Sequence, residues 1–152
     1  MTARVGRTQV GIAEWARRAR ASRSIEMATA DALGRAVATT DDLAARLALV
    51  GRARAHAWRA TQWELVIPLL HDVSVADDVV VDDAVVVDAF TRVRDADVAE
   101  LINHDTMLTH ALVGAWQQWL SEASTVADAP YMHVIRRVVA DANMSTNAGA
   151  SA

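Results

Sequence analysis

Cysteine is absent, and so is lysine: all 15 basic residues are arginine. Without a thiol there is no disulfide, thiolate nucleophile, zinc–thiolate site or cysteine-held iron–sulfur cluster. Without lysine there is no Schiff base and no phosphate-loop lysine. Only 2 prolines and 6 glycines punctuate the chain. There is no glycine-rich phosphate loop, no Gly-x-Ser-x-Gly and no His-Glu-x-x-His. No uncharged apolar stretch approaches the roughly 18 residues that a membrane span needs. The longest aliphatic run, around Val79–Val87, is broken by Asp82 and Asp83. The first residues carry Arg4 and Arg7 but no apolar segment, unlike a secretory signal. These absences predict a cytoplasmic, soluble protein without membrane contact. The net charge of −4 argues against a basic groove for nucleic acid.

What is present is a chain of 152 residues, 53% of them hydrophobic, enough for one domain with a proper core. Alanine occurs 32 times, and the arginine-for-lysine bias fits a GC-rich genome of the actinobacterial kind. Charge is uneven. Residues 1–65 hold 11 arginines against 6 acids, net +5; residues 66–152 hold 4 against 13, net −9. Two oppositely charged halves can pack together or against symmetry mates, or form a basic surface for an anionic ligand.

Periodicity predicts helices throughout. Trp15, Ala19, Ser22, Glu26, Thr29, Leu33 and Val37 recur every three or four residues, one face of a helix over 12–38. Thr39 to Asp42 reads as a break and a new N-cap. A second helix over about 41–70 has the seam Leu49, Ala53, His56, Ala60, Trp63, Ile67 and Leu70, with Pro68 ending or kinking its last turn. So short a connection makes the two an antiparallel hairpin. Residues 71–83 suit either a strand pair or a crossover leading to a helix over about 82–94, with Ala84, Val85, Val87, Phe90 and Val93 inward. A helix over 96–122 carries Leu101, Leu108, Leu112, Ala115 and Trp119; a last one over 130–143 carries Met132, Ile135, Val139 and Ala142. The expected architecture is all-α: a flexible N-terminus (1–11), an up-down four-helix bundle (12–143) with a long crossover and a short last helix, and a disordered tail (144–152). The short last helix predicts apolar surface left for a homo- or hetero-oligomeric partner.

Glu26 is the most informative residue. A carboxylate in an apolar seam must be paired, hydrogen-bonded or on a metal. A hairpin pivot near residue 40 brings His56 within its reach. A Glu–His or Glu–Arg structural pair and an acid–base pair both fit. His110 and Asp141 can face each other across the second hairpin, as a surface pair or as ligands. Arg52, Arg54 and Arg59 surround His56, as a solvated face or an anion-binding one. Trp15, Trp58, Trp63, Trp116 and Trp119 make five of seven aromatic residues. They serve as core, or as an aromatic wall for a flat ligand.

The layout over residues 12–143 resembles the ferritin-like superfamily, whose helix pairs supply a Glu and then Glu-x-x-His. Glu26 stands at the first Glu position, and Ala53-Arg54-Ala55-His56 where Glu-x-x-His would be. His110 is near the second Glu position, and Asp141-Ala142-Asn143-Met144 stands at the second Glu-x-x-His. Neither four-residue motif is intact, which departs from a di-iron centre. His56-Ala57-Trp58 through Pro68, and Ala127-Asp128-Ala129-Pro130, look like ferritin-like proteins of unassigned role in actinobacteria.

Three functions follow as expectations. The first is a metal-independent enzyme, or a subunit of one, in bacterial secondary-metabolite biosynthesis. It would perform an elimination or cyclisation on a small-molecule substrate. Glu26 and His56 would be its acid–base pair, Arg52 and Arg59 would hold an anionic group, and Trp58 and Trp63 would line the site. The second is a non-catalytic partner completing a heteromeric enzyme. The third is a mononuclear non-haem oxygenase holding iron or manganese on Glu26, His56, His110 and Asp141.

Overall fold

A computed structural model describes residues 10–67, 83–124 and 126–149. They form five helices: α1 (Ile12–Thr39), α2 (Leu43–Glu64), α3 (Ala84–Asp95), α4 (Val98–Glu122) and α5 (Ala129–Gly149). No strand occurs among the described residues, so the chain is all-α. Among the described residues no helix is long and apolar enough to cross a membrane. The two readings of residues 71–83 fall almost wholly outside the described residues, as do Pro68 and Leu70.

Local chemistry sets the helix starts. The side chains of Asp42, Asp83 and Asp97 accept from backbone N–H groups of the first turns of α2, α3 and α4. Each satisfies donors that a helix leaves free at its start. Asp128 is buried and accepts from the backbone N–H of Ser124 at 2.7 Å, closing the turn before α5.

The pairings are antiparallel. Glu26 meets His56 and Arg59, and Arg23 meets Glu64, so rising numbers on α1 oppose falling numbers on α2. Ser22–Trp116 and Arg18–Glu122 show the same for α1 and α4. The seams read from sequence form most of the core. Trp15, Ala19, Ser22, Glu26, Thr29 and Leu33 of α1 are buried, as are Leu49, His56, Ala60 and Trp63 of α2, and Leu101, Leu108 and Leu112 of α4. Trp15 stacks on Tyr131 with ring centres 5.0 Å apart, locking the start of α1 to the start of α5.

Two expectations need correction. In α3 the inward residues are Val86, Ala89 and Val93, whereas Ala84, Val85 and Val87 are exposed and Phe90 is half-buried. Three successive valines carry no helical phase of their own. The Asp83 cap sets the start of the turn and hence which valine faces α1 and α4. The last helix also runs six residues past the expected end at 143, to Gly149. Residues 144–149 contain no proline, and Ser145 Oγ returns its hydrogen to the Asp141 carbonyl at 3.0 Å, a bond that the helical backbone accommodates.

Candidate functional site: a buried network of charged side chains

Three helices each place one charged residue at the centre of the bundle: Glu26 from α1, His56 from α2 and Asp105 from α4. Glu26 is 0% exposed, and His56 and Asp105 are 1% each. His56 Nδ1 bonds to Glu26 Oε2, and His56 Nε2 lies 2.6 Å from Asp105 Oδ1. Arg59, one turn after His56, is also 1% exposed. Its Nε donates to Glu26 Oε1 at 3.0 Å and its Nη1 to Asp141 Oδ2 of α5 at 2.9 Å. Arg52, one turn before His56, donates from Nη1 to Asp105 Oδ2 at 2.6 Å. Positions 52, 56 and 59 share one face of α2, which is why one helix supplies every cation.

The charge count closes. Glu26, Asp105 and Asp141 bring three negative charges; Arg52 and Arg59 bring two positive ones. A protonated His56 supplies the third. Burial alone pushes the imidazole pKa down. The Glu26 charge, the hydrogen bonds that Asp105 and Glu26 accept from the ring, and the Asp105 charge outweigh burial and raise it above 6.5. Burial likewise pushes Asp105 up, but the His56 hydrogen bond and charge and then those of Arg52 bring it below 3.8. Both ring nitrogens face carboxylates, so each carries a proton. Arg59 Nη2 lies 2.9 Å from His56 Nδ1, a contact between two donors that the Glu26 carboxylate, bonded to both residues, compensates.

The residues expected to form the site divide. Glu26, His56, Arg52, Arg59 and Asp141 converge. Trp58 does not: it is 37% exposed, under the Arg137 guanidinium at 5.6 Å. Trp63 is fully buried against Trp116 and Trp119, as core. His110 lies on the exposed side of α4, and Asp141 turns to Arg59. Arg52 and Arg59 already hold protein carboxylates, and Arg59 is part of the core rather than of a solvated face. Arg54 is exposed.

A di-iron or mononuclear centre does not fit these residues. A metal needs a free imidazole lone pair, and both His56 nitrogens are taken by carboxylates. It also needs carboxylate oxygens turned to one point, and the Arg59 guanidinium stands between Glu26 and Asp141. Among the described residues no group of three or more His, Asp or Glu is arranged to hold a metal ion.

Asp105 was missed by sequence reasoning, although its signal is the same as that of Glu26. It falls between Leu101 and Leu108 on the apolar seam of α4, a carboxylate where a leucine is expected. Ser22 was read only as a seam residue, and it accepts a hydrogen bond from Trp116 Nε1 at 3.1 Å.

A cavity lies elsewhere in the bundle. It has a volume of about 410 Å³ and opens between α1, α4 and the start of α3, beside Arg18, Ser22, Trp116 and Trp119; Glu26 and His56 are not among its walls. Comparison with known proteins finds no matching family model, no similar curated protein and no similar solved structure.

Proposed function

We propose that this chain is a ferritin-like helical bundle working as a metal-independent enzyme, or as a subunit of one, that moves a proton on a small organic molecule in bacterial biosynthesis. One observation carries this reading: a buried imidazole gripped at both nitrogens by carboxylates, in a network whose three carboxylates outnumber its two guanidiniums. Such a unit stores a proton and returns it on demand. Glu26 and His56 hold that proton. Arg52 and Arg59 fix the carboxylates. The network reaches solvent at the Arg52 and Asp141 side chains, which are 19% and 25% exposed, and a substrate group meets it there.

The test needs no known substrate. The protein is incubated in D2O with a bacterial metabolite extract, and mass spectrometry follows deuterium uptake or loss of water. Catalysed exchange should disappear in Glu26→Gln that remains folded. Exchange persisting in that variant removes the network from the chemistry.

A second reading, a non-catalytic partner subunit, is favoured by a different observation. Leu43 and Leu47, at 68% and 65% exposure, and Val50 follow each other at helical spacing on α2. Co-purification of a second protein at fixed stoichiometry, lost in Leu43→Asp/Leu47→Asp, supports it.

A further inference from the structure

We infer that the outer face of α2, from Leu43 to Arg54, binds a second copy of this chain, with the two α2 helices antiparallel across a two-fold axis. The inference stands apart from the buried network, which occupies the opposite side of the same helix.

Leu43, Leu47 and Val50 are exposed and follow one another at spacings of four and three, so they stand on one side of α2. Leu49, His56, Ala60 and Trp63, which face the bundle, are buried on the other. Ala44, Ala48 and Gly51 are exposed beside the apolar row. None of them rises far above the backbone, and a Cβ at Gly51 would meet no atom within 4 Å. A row of large apolar side chains thus runs next to a shallow strip, the relief into which a facing helix packs a row of its own. Large apolar side chains that stand together in this way mark an interaction surface.

Charge says what covers them. From Leu43 to Trp63 the helix carries four arginines and no acid. Arg52 and Arg59 turn to carboxylates of the network. Arg54 stays exposed at one end of the apolar row, and Asp41 and Asp42 stand exposed at the other. Neither Arg54 nor Asp41 has an ion-pair partner among the described residues. Twelve residues separate Asp42 from Arg54, about 18 Å of helix, with Ala48 at the midpoint and Leu47 beside it. A second copy rotated by half a turn about that midpoint brings its Arg54 level with Asp41 and Asp42 of the first, and its own aspartates level with the first Arg54. The Leu47 side chains meet at the centre, flanked by Leu43 and Val50. Arg46 comes level with Val50 of the second copy, so no arginine directly opposes another. A face that matches itself end for end is what an isologous two-fold contact requires. An anionic membrane would instead meet the aspartates at one end of the row.

The test is sedimentation of the full chain at concentrations from about 1 µM to about 200 µM. Wild type should form a reversible two-chain species, and Leu47→Asp should abolish it. Gly51→Arg should abolish it as well. That side chain enters open space on the single chain and replaces glycine with a better helix former, so helix content by circular dichroism should be kept. Arg54→Glu and Asp41→Arg should each weaken association about tenfold, because both symmetry-related contacts become like-charged. An equimolar mixture of those two variants should recover the wild-type affinity, since every contact of the mixed pair again joins opposite charges. A single chain at every concentration, the result expected if this face serves a different protein, overturns the inference. A two-chain species that Leu47→Asp and Gly51→Arg leave intact overturns it too, as does a mixture that associates no better than either variant alone.

Discussion

Replacing Glu26 with glutamine is the sharpest perturbation of the network. The variant keeps the size and shape of the side chain and removes one charge. In the wild type both Glu26 oxygens accept, one from His56 Nδ1 and one from Arg59 Nε. Glutamine has one acceptor and one donor group, so one of those contacts becomes donor against donor. The three cations are left facing two carboxylates, with His56, Arg59 and Asp105 each 1% exposed. Breaking a buried ion pair on one side costs about 3–5 kcal/mol. For a chain of this size each kcal/mol moves the melting temperature by about 2–4 °C, so the expected fall is about 6–20 °C. The pH dependence adds a second signature. His56 has a folded pKa raised above 6.5, so its stabilisation is full below pH 6.5 and is lost as pH rises through the folded value. The Glu26 charge does most to raise it. In Glu26→Gln this alkaline loss should therefore begin at lower pH. Thermal and urea unfolding between pH 5 and about 9, followed by circular dichroism, read both effects. A variant within about 1 kcal/mol of wild type and with an unchanged pH profile would refute the coupling of these side chains.

Asp105 titrates in the opposite sense. Its folded pKa lies below 3.8, so the stabilisation it brings is present above pH 3.8 and lost as pH falls through the lower value; Asp105→Asn should be destabilised at pH 7 and show a shallower acid limb in the same melts. Adding Fe(II) or Mn(II) should leave the melting temperature of the wild type unchanged, because the His56 lone pairs and the carboxylates are engaged, and a rise at stoichiometric metal would contradict that. Leu108→Ala, at a fully buried position of α4, should cost about 2–5 kcal/mol in urea unfolding and leave the pH profile as it is.

The helical seams were legible because they are long and repeat at 3.6 residues. Those of α1, α2 and α4 supply most of the large buried residues, although Trp116 rather than Trp119 is buried on α4 and Ile25 and Ala36 widen the buried face of α1, and the pairing of Glu26 with His56 followed from the length of the first hairpin. The phase of α3 was hidden because Val85, Val86 and Val87 are equally apolar, so only the Asp83 cap separates inside from outside. Asp105 was readable from its place between Leu101 and Leu108. His110 sits half a turn off the seam that Leu108 and Leu112 define, on the opposite face of α4, and the structure leaves it exposed. Arg59 looked like a surface residue from its charge alone. Its burial depends on two carboxylates from two other helices, Glu26 and Asp141, a condition that no single helix records.

The central claim is that His56 carries a proton on each ring nitrogen, between Glu26 and Asp105. Nitrogen NMR of imidazole-labelled protein, titrated from pH 5 upward, measures this directly. The account predicts that both His56 nitrogens are protonated at pH 7 and that the midpoint lies above 6.5. A neutral His56 ring at pH 7, or a midpoint below 6.5, contradicts it.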